Sequence, residues 1–537
     1  MYCNILYILI LIPIYFLIKE VMRYSKYSNH FVLWATLFLF TLHPIHTNVV
    51  SNIKCRDNLL SILFLVIACL ALLKFLKKGL QLKWIVIYFI SFAFALMSKL
   101  DAIGLIILAP IIIVLFSNET FNLKKINLYK LGISYFIPLI VILGGRKFVS
   151  TNAPIIEQEG ISKSIVRFTE NPIVSNWDIL HRIEGLFSSF ILYFKMLVVP
   201  NNYFFYFGYN TIKFPSNIFI QVFALLILSS LLFLFIYFFR RNKLVSFGIL
   251  FLVTNLLYCV NFATPVAGIV AARYAFIASV GFCLLLALAI DSIPTKNVKL
   301  ATLISILLVY SYFSYARVGD WKNLETLISA DLPHLENSHE AQRIAANVYL
   351  EIADSTIFEE KKLSYLNKAV DAFDKANKVY DENYITHIQK GIALFKLNEI
   401  DKSISSLSKG IELDTSFNAI SHEILGDAYF LNSNFEKSLS TYQKIELKQP
   451  NNQDIIQKVS SSLYEIGDIN KTISYNDSII LKNPRFYAPY ENLAYLYWLE
   501  GDTTKSLINL DKAIENSINE THKTEIYNSF QNFMTGI

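Results

Sequence analysis

The chain has 537 residues, 54% of them apolar, and a mean hydropathy of +0.43, which excludes an ordinary soluble globular protein. Its net charge of +6 conceals a division: residues 321–537 carry 21 Lys and Arg against 31 Asp and Glu, a balance of −10, so residues 1–320 hold +16. The basic residues lie scattered between apolar runs and not on one face. That excludes nucleic-acid binding and points to a basic membrane half joined to an acidic soluble half.

Roughly 20 apolar residues cross a bilayer as a helix. Candidate spans are 4–19, 31–42, 58–76, 84–98, 102–117, 129–146, 217–239, 244–262, 274–291 and 299–316. Lys19, Arg23 and Lys26 follow the first span, and Lys74, Lys77, Lys78 and Lys83 the third. Lys124, Lys125 and Lys130 follow the fifth, and Arg240, Arg241 and Lys243 separate 217–239 from 244–262. Placing these groups in the cytoplasm gives a consistent alternation. It puts His43–Asp57, Ser98–Asp101, the loop after about 146, the stretch 263–273 and everything after 316 on the outer side. Segment 179–199 then reads as re-entrant or interfacial, which suits its His181, Arg182, Glu184 and Lys195. The five cysteines (Cys3, Cys55, Cys69, Cys259 and Cys283) form no CxxC pair and read as small buried hydrophobes. No cleavable signal peptide is evident.

Between two of these spans lies His43-Pro44-Ile45-His46-Thr47-Asn48-Val49-Val50-Ser51-Asn52-Ile53-Lys54-Cys55-Arg56-Asp57. Two histidines, a lysine, an arginine and an aspartate gathered at a membrane boundary are functional candidates. The two histidines find no third ligand at a diagnostic spacing, so a metal site is not indicated.

From about residue 337 the pattern becomes helical and repetitive. Asn398, Ser433, Gly467 and Gly501 are each followed four residues later by a Lys-Ser or Lys-Thr pair, at steps of 34 or 35 residues. A 34-residue helix-turn-helix period is the tetratricopeptide signature. Asn398, Gly467 and Gly501 can supply a left-handed turn after the first helix of each unit. For Ser433 the neighbours Asn432 or Asn434 are expected to serve instead. Small residues at Ser403, Ser438, Thr472 and Ser506 let the paired helices approach. Pro450 and Pro484 end second helices. Repeats are expected at 384–418, 419–452, 453–486 and 487–520, with a degenerate unit upstream (Ala369, Phe373, Ala376) and a capping helix at 521–535. Such solenoids bind peptides or proteins in a concave groove.

The stretch His43-Pro44-Ile45-His46-Thr47, with Asn52-Ile53-Lys54 and Arg56-Asp57, resembles the signature of the tetratricopeptide-containing O-mannosyltransferases and their bacterial relatives, polytopic glycosyltransferases of the GT-C type. The resemblance continues, in the family's order, through Ser98-Lys99, Arg182 to Pro200, Arg273-Tyr274, Ser279-Val280-Gly281-Phe282, Arg317 and Trp321. It implies an all-α fold: a multi-pass GT-C domain over 1–320, a juxtamembrane linker and degenerate repeat over 321–383, four repeats over 384–520 and a cap over 521–537. It further implies transfer of a sugar, mannose in the family, from a polyprenyl- or dolichyl-phosphate donor. The acceptor is a Ser or Thr of a protein recruited by the repeats on the outer face of the membrane.

That chemistry asks for a carboxylate to take the acceptor's proton, and for cations to hold the departing lipid phosphate. The resemblance makes Arg273 the leading phosphate ligand, with Lys54, Arg56 and Lys99 as further cations. It offers His43 and His46 to orient phosphate or acceptor, and Arg182 as a matched position. Of the outer carboxylates (Asp57, Asp101, Glu157, Glu159, Glu170, Asp178 and Glu184), Asp57 is best placed beside the cations to act as base. Two departures stand out. Asn48 replaces an acidic residue, and Lys99-Leu100-Asp101 replaces Lys-Glu, so that Asp101 stands in for the glutamate one residue on. The family's catalytic aspartate also follows a first helix and outer loop that are expected to lie upstream of Met1. Two further readings remain. One is an inactive membrane-tethered repeat scaffold. The other is an O-antigen ligase or oligosaccharyltransferase, disfavoured because 147–178 carries only Arg167, Lys147 and Lys163. Abundant Ile, Lys, Asn and Phe favour a bacterial inner membrane, with the repeats in the periplasm.

Overall fold

A computed structural model describes residues 2–78, 81–116, 166–201, 203–212, 217–414 and 416–535. The named elements among the described residues are all helices, and the chain divides into two compact units, one reaching to Gln342 and the other taking Arg343–Ile537. The expected span 129–146 and the carboxylates Glu157 and Glu159 fall outside the described residues.

Among the described residues of the first unit, four helices are long and apolar enough to cross a membrane: Cys3–Tyr24, Ile53–Lys77, Ile218–Phe238 and Lys296–Asp320. The first two pack into the bundle core, whereas Ile218–Phe238 and Lys296–Asp320 leave most of their apolar surface open. Phe233, Ile236, Leu308 and Tyr312 are all exposed there. Shorter apolar helices, His30–Leu42, Leu82–Ser98, Leu100–Phe116, Lys243–Leu256 and Ser279–Asp291, pack with the long ones. The helix Ile179–Val198 is capped by Asp178, which accepts from His181 N. Helices Lys243–Leu256 and Ser279–Asp291 meet at Gly248 and Gly281, where a Cβ on Gly281 would lie 2.6 Å from Gly248 O.

Charged groups flanking the first, third and last described apolar helices pair with acids at one end of the bundle. Glu20 pairs with both Arg23 (3.0 Å) and Lys77 (3.4 Å). Asp291 accepts from Asn29 and Lys299 and also bonds the Tyr27 hydroxyl. The opposite end gathers residues 43–58, 99–104 and 257–273.

Two spans differ from expectation at that second end. The helix expected over 244–262 stops at Leu256, and the one expected from 274 begins at Ser279. The intervening chain is organised by Asn261, fully buried at φ +55. Its side chain donates to Ser189 Oγ and Ile269 O and accepts from Asn171 Nδ2 and Val266 N. An apolar run that reads as one helix is broken because a buried asparagine satisfies four partners only in this conformation.

A second fixed point is Arg317, at the end of Lys296–Asp320. Its guanidinium grips Asp331 with both nitrogens (2.7 and 2.8 Å), and also reaches Asp320 Oδ2 and Tyr203 O. Asp331 in turn accepts from Phe205 N at 2.7 Å. Arg317 is thereby a structural clamp on the 203–205 loop.

The second unit is a stack of helix pairs. Tyr384–Lys396 pairs with Ile400–Leu413, Ala419–Leu431 with Phe435–Lys448, Gln453–Glu465 with Ile469–Lys482, and Ala488–Leu499 with Thr503–Glu515. His339–Ser355 and Glu359–Val379 precede them, and Glu520–Thr535 closes the end. This is a tetratricopeptide-type solenoid. The small-residue positions do more than allow close approach. Ser403, Ser438 and Ser506, all buried, donate across each pair to Gly391 O, Gly426 O and Ala494 O at 2.7–3.0 Å. Thr472 bonds its own helix at Asp468 O instead. Asn398, Gly467 and Gly501 take positive φ, as their identity suggests, but so does Ser433 itself (φ 55). The flanking Asn432 and Asn434 are otherwise engaged: Asn432 donates to Asp401, and Asn434 caps the next helix at Lys437 N. The fixed repeat length leaves Ser433 the left-handed position despite its Cβ.

Candidate functional site

At the second end of the bundle, three chain segments bring charged groups together. Residues 53–58 turn into the helix Arg56–Lys78, which carries Asp57 and Asn58 on its first turn. The helix Leu82–Ser98 ends at Lys99 and gives way to the short turn Leu100–Gly104, which carries Asp101. The turn Ala272–Ala275 carries Arg273 and Tyr274. Close packing at Gly104 holds the second segment down: a Cβ there would lie 2.8 Å from Thr254 O. Glycine alone lets the end of Lys243–Leu256 approach, and that approach brings Tyr258 to Asp101.

Lys99 is the centre of the cluster. Its ammonium lies 3.1 Å from Asp57 Oδ2 and 4.0 Å from Asp101 Oδ2, and donates to Asn58 Oδ1 at 2.8 Å. Asn58 is fully buried and donates its amide to Asp101 Oδ2 at 2.6 Å, so one asparagine joins the cation to the acid. Asp101 is 3% exposed. Burial pushes its carboxyl up to about 6, against the pull of Lys99, with the Tyr258 phenol beside it in poor hydrogen-bond geometry. Asp57 is the more open acid, with 39% of its side chain exposed.

Arg273 differs from Lys99. Its guanidinium lies over the Tyr274 ring at 4.9 Å, half-buried, and among the described residues no carboxylate pairs with it. Lys99 approaches the same ring at 6.0 Å. Cys55 is buried among Arg273, Lys99 and Asp57. Four residues singled out by the sequence, Asp57, Lys99, Asp101 and Arg273, thus form one neighbourhood. Asn58, Tyr258 and Cys55 belong to it and escaped the reading. Asn58 directly follows Asp57, a local signal that could have found it. Tyr258 joins only through the packing at Gly104.

The other candidates stand exposed or are held by other contacts. Lys54 and Arg56 are exposed, and Arg56 Nε donates back to Ile53 O. His43 and His46 are turned inward. His43 Nδ1 accepts from Ile45 N, so its Nε2 donates to Leu197 O at 3.0 Å. His46 lies between Phe40 and Phe276, with Nε2 2.8 Å from Ser279 Oγ and Nδ1 2.7 Å from the Tyr7 hydroxyl. Ser279 gives its proton to Phe276 O, which makes His46 Nε2 the donor. Both rings spend both nitrogens on the protein. Arg182 is stacked between Trp177 and Phe262, with Nε on Phe262 O at 2.7 Å. Glu170 and Asp178 cap local turns through Arg167 N and His181 N.

No protein-family model matches the sequence, and no curated protein does. Among solved structures, the chain is similar to YrrB, a tetratricopeptide protein described as having an unusual peptide-binding site, at 14% identity. That match covers 37% of this chain and 97% of YrrB, with a TM-score of 0.29. It is also similar to MamA at 22% identity, covering 29% of this chain and 92% of MamA, with a TM-score of 0.26. A further match, at 13% identity, is MamA of Desulfovibrio magneticus RS-1, with a TM-score of 0.27 over 32% of this chain and 94% of that one.

Proposed function

We propose that the chain is an integral membrane glycosyltransferase. It moves a sugar from a polyprenyl-phosphate carrier to a Ser or Thr hydroxyl of an acceptor protein on the outer face of the membrane, and the repeats recruit that acceptor. The observation that supports this reading best is Arg273: a half-buried guanidinium that pairs with no carboxylate among the described residues, beside Lys99, at one end of an apolar bundle. A half-buried cation in that position suits an anion brought in by a lipid.

In this reading the acceptor oxygen bonds the anomeric carbon while the bond from that carbon to the phosphate oxygen breaks. The electron pair leaves with the lipid phosphate, which Arg273 and Lys99 stabilise. The proton passes to a carboxylate of the cluster. Asp57 has the access, and Asp101 has the proton affinity, poised near 6. Exposed Lys54 and Arg56 meet the headgroup region, and the open apolar faces of Ile218–Phe238 and Lys296–Asp320 face lipid.

The test is transfer of labelled sugar from polyprenyl-phosphate mannose to a Ser/Thr-rich protein by the full chain in liposomes. Transfer that disappears in Arg273→Ala supports the reading, and transfer unchanged in that variant sinks the assigned role. A second reading, a membrane-tethered repeat scaffold, is favoured by the internal saturation of Lys99. It predicts no transfer at all, and full biological function in Arg273→Ala.

A further inference from the structure

We infer that the face of the solenoid built from its first helices is a docking groove for an extended polypeptide segment carrying a basic side chain next to an aliphatic one. This deepens the recruiting role proposed for the repeats and rests on that reading only in taking the segment to belong to the acceptor.

Phe395, Phe430, Tyr464 and Trp498 occupy the same place in four successive first helices, 34 or 35 residues apart, and each ring stays partly exposed. The row ends where Phe530 of the terminal helix packs on Trp498. At its beginning the row borders a hollow of about 360 Å³, walled on its apolar side by Phe395, Phe430, Leu431 and Tyr442. The hollow is open on one side and has room for more than one side chain.

Charge decides which segment fits. The cation in the wall, Lys458, is already held by Glu423 (2.7 Å) and by Asp427 (2.7 and 3.0 Å). An acidic ligand would have to strip it from both partners. A basic side chain instead meets two carboxylates sharing one ammonium, and the faces of aromatic rings that attract cations. The excess of acid over base across residues 321–537 acts in the same direction at longer range. An aliphatic neighbour on the segment then enters the hollow against Phe395 and Leu431.

The experiment measures fluorescence anisotropy of short labelled Ser/Gly peptides with the full chain in detergent, without any sugar donor. One peptide carries an arginine and a leucine two positions apart. Its counterparts replace the arginine by glutamate or the leucine by alanine. The arginine–leucine peptide is expected to bind, with each replacement weakening it about tenfold or more, and binding is expected to fall as salt rises. Glu423→Gln should weaken it several-fold, and Ser461→Arg, a change at an exposed position in the wall, should abolish it. Three results overturn the inference: no binding of that peptide at millimolar concentration, equal binding of the glutamate peptide, or binding indifferent to both variants. Because no donor is present, failure here is separate from failure of sugar transfer, and each can occur without the other.

Discussion

Lys99 and Asp57 stand 3.1 Å apart at the junction of two helices, and the same ammonium lies 4.0 Å from the buried carboxylate of Asp101. One cation therefore serves two acids with different access to solvent. Asp101 holds its proton more tightly folded than unfolded, because its carboxyl is pushed up to about 6 from an ordinary 3.8. Its contribution to stability is fullest at low pH, falls as pH rises between those values, and is flat above them. Asp101→Asn should therefore stabilise the protein at pH 8, by about 2 kcal/mol, and change little at pH 4. Lys99→Ala should do the reverse at pH 8, since it strips the charged acid of its cation. Thermal unfolding at the two pH values checks both, and equal shifts at pH 4 and pH 8 would be the wrong outcome.

The Arg317 fork makes a second prediction. Arg317→Ala leaves Asp331 buried without its partner and frees the 203–205 loop, which should cost about 3–5 kcal/mol. Arg317→Lys should recover little, because an ammonium cannot span both oxygens of Asp331 and Tyr203 O together. The readout is thermal stability of the full chain, with protease sensitivity near 203–205 reporting the loop itself.

Ser433 offers a gain. It sits at φ 55 where Gly467 and Gly501 occupy the matching turns. Ser433→Gly should stabilise the solenoid by about 1 kcal/mol, and Ser433→Val should destabilise it by more than that. Hydrogen exchange in Ala419–Leu431 and Phe435–Lys448 should slow in the first variant and quicken in the second.

Glu491 supplies a test within the repeats. Burial pushes its carboxyl up to about 7, against the hydrogen bond donated by Gln457 at 2.7 Å. The folded solenoid thus binds this proton more tightly than the unfolded chain, and stability falls as pH rises from the ordinary 4.5 toward 7. Glu491→Gln removes that slope. The variant should unfold at higher temperature than the parent at pH 8 and at the same temperature at pH 4.

The residues whose placement was legible in the sequence are those governed by neighbours along the chain. Helix length follows apolar run length, so Ile218–Phe238 and His30–Leu42 emerge within a residue or two of expectation. The 34-residue period places the left-handed turns at Asn398, Gly467 and Gly501 because one backbone conformation must recur in each unit. Reading failed where a distant partner outweighed local preference. Asn261 breaks a run that looks continuously helical, Ser433 takes a conformation its own side chain disfavours, and His43 and His46 spend their nitrogens on Leu197, Ser279 and Tyr7.

By itself the sequence determined the two halves, their opposite charge and the repeat, since composition and periodicity are sums over neighbours. It also picked out Asp57, Lys99, Asp101 and Arg273 one at a time. Only the tertiary structure decided that these four meet, that Asn58 links the cation to the buried acid, and that Tyr258 joins them. The physical reason is packing between segments far apart in the chain: the missing Cβ of Gly104 lets Thr254 approach. The low-dielectric pocket that results gives Asp101 a proton affinity that no inspection of its neighbours would predict.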